Sequence, residues 1–99
     1  MNIAFSKSAI EGLENIKGYY QGQRVPDIGI DFVTAIVELV ETLIKHPEIG
    51  RIVPEFNDEL IREIIHAPFR VVYLHESKSI KVIRVWRSER ILNLPEQLA

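Results

Sequence analysis

Ninety-nine residues, 46% hydrophobic and 26% charged, are the makings of one ordinary globular domain spanning 1–99. The absence of cysteine excludes disulfide staples and zinc–thiolate centres and fits a reducing compartment. No apolar run approaches the roughly 20 residues of a membrane helix, and the start Met-Asn-Ile-Ala-Phe-Ser lacks the basic end and apolar centre of a signal peptide. A soluble, cytoplasmic protein is expected. The net charge of −2 argues against a general polyanion binder, but its distribution is uneven. Residues 26–49 carry five acids against Lys45, a balance of −4, whereas residues 70–90 carry six cations against Glu76 and Glu89, a balance of +4. A local basic face of this kind can hold a phosphate or an acidic protein despite the negative total.

Asn2–Phe5 reads as a short edge strand. Ser8, with Glu11 three residues on, has capping-box spacing, and Ser6 is a second cap candidate. Ala9, Leu13, Ile16 and Tyr20 then recur at helical spacing through Gln21, with Gly22 as the stop. Val25-Pro26-Asp27 turns the chain and places Asp27 to cap a second helix. Its buried stripe is Phe32, Ile36, Leu39, Val40 and Leu43, and Glu38, Glu41 and Lys45 mark the wet side. His46-Pro47 ends it, because the residue before proline avoids helical backbone. The link between the helices is short, so they form an antiparallel hairpin.

After Gly50 the period changes. Arg51–Phe56 is extended but interrupted by Pro54, Leu60–His66 is a strand, and Ala67-Pro68 turns into Phe69–Glu76. Ser77-Lys78-Ser79 makes a tight hairpin into Ile80–Arg87, and Asn93-Leu-Pro95 offers the start of a last helical turn. Two helices followed by an antiparallel meander give an α+β fold: an N-terminal edge strand and a helix hairpin packed on one face of a small antiparallel sheet.

The last two strands are apolar on both faces. Phe69, Val71 and Tyr73 alternate with Arg70, Val72 and Leu74, while Ile80, Val82 and Trp86 alternate with Ile83 and Val85. A strand with one wet face shows a cleaner alternation. The helices can cover one sheet face. The other, punctuated by arginines at 70, 84, 87 and 90, is expected to meet a partner.

The ordered set Pro47-x2-Gly50-Arg51-x-Val53-Pro54-Glu55, Ile61-Arg-Glu-Ile64, Phe69-Arg-Val-Val-Tyr73 and Ile83-Arg-Val-Trp86, behind the helix pattern Ala-x3-Leu-x2-Ile-x3-Tyr, resembles the RelE/ParE toxin superfamily from about Ile3 to Leu92. The resemblance is nearer the ParE-like branch. It implies the toxin of a type II toxin–antitoxin system, held in a hetero-oligomer by a cognate antitoxin. It also divides by target: RelE-like members cleave messenger RNA in the ribosome, and ParE-like members poison DNA gyrase without known catalytic residues. Where RelE-like enzymes resemble one another in middle-strand lysines, this chain has Ile61 and Glu63. Arg70 matches their strand arginine, Arg87 stands where related toxins often have histidine, and Leu94 falls at the late tyrosine.

Cleavage by 2′-hydroxyl attack needs a base, an acid and a stabiliser of phosphate charge. Arginine forks suit the last task and make poor proton shuttles. For a ribonuclease the set would be Arg70, Arg84 and Arg87 with His66 or Glu63; these last two lie three apart on one strand and hence on opposite faces. His46 and His75 are weaker choices, and the three histidines share no metal-ligand spacing. A non-enzymatic gyrase poison without cofactor or metal is therefore preferred over a ribosome-dependent nuclease, with a relic that only binds its antitoxin as a third reading. Residues expected to meet target or antitoxin are Arg62, Arg70, Val72, Leu74, Arg84, Trp86, Arg87 and Arg90, with Arg70 foremost.

Overall fold

Ser6 joins the first strand to the first helix and holds both to the sheet. In this computed structural model, which describes residues 2–87, strand β1 (Asn2–Phe5) leads straight into α1 (Lys7–Gly22). Ser6 has extended backbone, and its Oγ accepts from the Ala9 amide at 3.0 Å while donating to the Ile83 carbonyl at 3.0 Å. The cap is thus Ser6 and not Ser8, which lies inside the helix. Gly22 is likewise inside it; the left-handed residue that reverses the chain is Arg24, with φ of 64°.

Helix α2 (Pro26–Glu41) begins on its proline. Its cap position is Val25, with no side-chain cap; Asp27 sits in the first turn, where its charge favours the positive helix end without capping it. The α-helix ends at Glu41, earlier than His46-Pro47, and a 3₁₀ turn (Thr42–Ile44) follows. There the Thr42 hydroxyl bonds the Leu39 carbonyl at 2.6 Å, drawing the last turn tight.

The remaining strands are β2 (Arg51–Ile52), β3 (Ile61–His66), β4 (Phe69–His75) and β5 (Ser79–Arg87). They form one five-stranded sheet in the order β1-β5-β4-β3-β2. The sheet is mixed, because β1 runs parallel to β5 while the other pairs are antiparallel. Two helices packed on one face of a sheet with the N-terminal strand at its edge make an α+β fold. Pro54 limits β2 to two residues, as a missing amide donor should.

The core lies between hairpin and sheet. Ala9, Ile16, Ile36, Val40 and Leu43 meet Phe69, Val71, Tyr73, Ile80, Val82 and Val85, all buried. Each large side chain removed from water there contributes about 1.5–3 kcal/mol. Two close approaches set the spacing. Gly12 lets α1 rest on β5, for a Cβ would overlap the Val85 carbonyl; one at Gly50 would lie 2.7 Å from the Tyr73 hydroxyl. That buried hydroxyl donates to the Pro47 carbonyl (2.7 Å) and accepts from the Gly50 amide (3.1 Å), pinning the loop before β2 to the core. Burial raises the Tyr73 pKa above the ordinary phenol value of 10.0.

One irregularity reorders the faces. The β4–β5 register slips between Val72 and Tyr73, so Tyr73 pairs with Val82 and Val72 with Arg84, leaving Ile83 as the extra residue of a bulge. Val85 therefore joins Ile80 and Val82 in the core, and Trp86 turns to the other face. The simple alternation that grouped Trp86 with Ile80 and Val82 does not survive the bulge.

Candidate functional site

The helices cover one side of the sheet and leave the other as a grid of side chains. Cross-strand register defines three rows. One is Ile65–Arg70–Trp86, the next Arg51–Glu63–Val72–Arg84, and the third Ile61–Leu74–Lys81–Ala4. The rows mix aliphatic, aromatic and charged groups, as the two-sided apolar pattern of β4 and β5 requires.

Charge organises the middle of the grid. Glu63 is 1% exposed although it lies on the face of the sheet opposite the two helices. Its carboxylate accepts from the Nε of Arg51 on one side and the Nε of Arg70 on the other. Arg70 also faces Glu55 at 3.6 Å, so the loop after β2 folds its acid toward this strand. A buried carboxylate left unpaired would cost several kcal/mol; two guanidiniums remove most of that cost. Trp86 lies between two cations, with the Arg84 guanidinium 4.4 Å and that of Arg70 5.1 Å from the ring centroid.

The residues nominated from sequence fall into two groups. Arg70, Val72, Leu74, Arg84 and Trp86 share the open face. Arg62 lies on the helix side and donates to the Gly50 carbonyl at 3.0 Å, with its Nε buried and unpartnered. It makes no ion pair with Glu63, whose cross-strand partner is Arg51. Arg87 is on the helix side as well, donating to the Tyr20 hydroxyl at 3.2 Å and lying over the Tyr19 and Phe69 rings. Arg90, like Leu94 and the turn at Asn93-Leu-Pro95, lies outside the described residues.

The nuclease set is divided in the same way. Glu63, Arg70 and Arg84 converge, but His66 pairs with Phe69 on the helix face and packs edge-on to Phe32 at 6.3 Å between ring centres. His75 pairs with Ile80 on that same face, and His46 is exposed in the loop before Pro47. Two arginine Nε groups occupy the Glu63 carboxylate. Sequence reasoning missed Arg51, Ile61, Ile65 and Lys81 on this face. Counting by twos from Glu63 would have found Ile61 and Ile65; Arg51 is visible only through its pairing with Glu63, and Lys81 only once the bulge is known.

Among the described residues, no helix is long and apolar enough to cross a membrane. A cleft of about 230 Å³ opens where α1 crosses the end of β5, lined by Gly12, Ile16, Tyr19, Phe69, Val85 and Arg87. The bare Gly12 backbone forms one wall.

The helix hairpin backs one face of the sheet, and among the described residues the other face presents aliphatic, aromatic and charged side chains. The family model for the ParE toxin of the type II toxin–antitoxin system parDE matches residues 3–92, and the chain belongs to that family. Among solved structures, a chain described as the chromosomal ParDE TA system from P. aeruginosa has the same fold, with a TM-score of 0.71 at 23% identity over 88% of this chain and 95% of that one. No curated protein gives a significant match.

Proposed function

We infer that this chain is a ParE-like toxin that acts by binding DNA gyrase in the cytoplasm rather than by cutting RNA, and that a cognate antitoxin silences it by covering the open sheet face. The observation that carries this reading is the separation of its titratable groups. Phosphodiester cleavage needs a proton acceptor beside the groups that steady the phosphate. Here Arg70 and Arg84 lie on the open face while His66, His75 and Arg87 lie on the helix face, and the Glu63 carboxylate beside Arg70 is held by two guanidiniums. What remains on the open face is a surface suited to contact: a flat tryptophan, four apolar neighbours and exposed cations. A tryptophan flanked by arginines is the composition of an interface centre.

Two assays separate the targets. Plasmid is incubated with purified gyrase and the toxin, and protein and DNA synthesis are followed by pulse labelling after induction. Trapped double-strand breaks with translation initially intact are expected. An early arrest of translation with cut messages would overturn the reading, and growth untouched in both assays would leave only antitoxin binding.

A further inference from the structure

Five cations were foreseen near the partner surface, but the structure treats those on the open face differently. Arg70 already has its charge matched inside the protein: its side chain is 14% exposed, paired with Glu63, faced by Glu55 and laid over Trp86. Arg84 shares the same indole from closer range, is exposed, and has no carboxylate within ion-pair distance among the described residues. Lys81, one row further along, is exposed in the same way. Their row neighbours are apolar: Val72 beside Arg84, Leu74 and Ala4 beside Lys81.

We propose that Arg84 and Lys81 read carboxylates on the antitoxin, and that Glu63 is a positioning residue that withholds Arg70 from the partner and fixes Trp86 as a flat anchor between the two arginines. The proposal rests on the open face being the antitoxin surface. It commits to an occupant by charge complementarity and spacing. Adjacent rows of a sheet are two residues apart along a strand, about 7 Å, so the two cations match acids at positions i and i+2 of an extended segment. Apolar side chains of that segment would seat on Trp86, Val72 and Leu74. A carboxylate that arrives with apolar neighbours displaces water around the pair, and its attraction to the exposed cation at lower dielectric then offsets the cost of desolvating both charges.

The test uses the full chain and the antitoxin encoded beside it, with the dissociation constant measured at two salt concentrations. Arg84→Glu is expected to weaken binding at least 10-fold and to flatten its salt dependence, and Arg84→Lys to recover most of the loss. Lys17→Glu, on the exposed side of α1, makes the same charge change far from the face and is expected to bind as the wild type does. Glu63→Gln is the positioning test. In the free chain it should shift the emission of Trp86, the sole tryptophan. Combined with Arg84→Glu it should restore part of the affinity, because Arg70 is released to take the carboxylate. Equal binding by Arg84→Glu and Lys17→Glu would overturn the proposal. So would a duplex oligonucleotide that binds through Arg84 while antitoxin affinity is unchanged, since the cations would then read phosphate. A wild-type chain that forms no complex at all would instead remove the reading beneath it.

Discussion

On the helix side of the sheet, Phe69, Val71, Tyr73, Ile80, Val82 and Val85 are buried under the side chains of two helices, and apolar area removed from water is the main source of stability there. On the open side, Val72 and Glu63 are almost as inaccessible, at 5% and 1%, although they lie on the face opposite the two helices. One face is closed by geometry that tolerates little change. The other is a charged mosaic whose members are held by one another, and Ile65 and Arg84 remain exposed beside it. The same five strands thus carry a face made for folding and a face that we propose meets the antitoxin. Substitutions that act on the two faces should fail in different ways, stability being lost on the first and association on the second.

The harshest way to break that contrast is Gly12→Ala. The added methyl meets backbone, the Val85 carbonyl, and not a side chain that can swing aside. Forcing α1 off β5 should cost about 3 kcal/mol or more, in the upper range for overpacking, visible as a lower urea midpoint. Next comes Glu63→Ala on the open face, which leaves Arg51 and Arg70 without their shared partner. Breaking a fully buried pair costs about 3–5 kcal/mol, but the Arg51 side chain is 61% exposed and water can replace its contact. A loss of about 2 kcal/mol is expected, read as a lower urea midpoint.

Tyr73→Phe probes the helix face more gently. It removes the bonds to Pro47 and Gly50 and leaves a buried amide and carbonyl unmatched, a loss of about 1–3 kcal/mol. It also carries a pH signature. Because burial raises the folded-state phenol pKa, the unfolded chain ionises first as the solution becomes alkaline. The stabilisation is complete below the unfolded value of 10.0 and is lost as pH rises through the folded value, so a urea series near pH 10–11 should show a steeper fall for wild type than for the phenylalanine variant. The smallest effect is expected at Arg24, whose left-handed backbone suits glycine: Arg24→Gly should stabilise by about 0.5 kcal/mol, read as a rise of about 2–4 °C in the thermal midpoint, with association unchanged.

Much of the helix face could be read from sequence. Ala9, Ile16, Ile36, Val40 and Leu43 sit where a 3.6-residue period puts them, and the edge position of Asn2–Phe5 follows from its brevity. What escaped the sequence was non-local. Ser6 outcompetes Ser8 as a cap because its hydroxyl can also reach Ile83, 77 residues away. The bulge that sends Trp86 to the open face depends on how two strands slip past each other, a choice that alternation within one strand does not contain. Arg70 was legible as an open-face residue, but its pairing with Glu63 and Glu55 needed strand order and a loop path. His66 could be excluded from Glu63's face by counting alone, and the register agrees.

The most direct test of the central claim, that the open face is where the antitoxin sits, uses the fact that Trp86 is the chain's only tryptophan. The toxin would be labelled with 5-fluorotryptophan and its single fluorine resonance followed as unlabelled antitoxin is added. A new resonance growing to saturation at complex stoichiometry, no longer broadened by a soluble paramagnetic nitroxide, is the predicted result. A complex that forms by size-exclusion chromatography while the resonance and its broadening by the nitroxide stay as in the free chain would contradict it, and would move the antitoxin to another surface of the molecule.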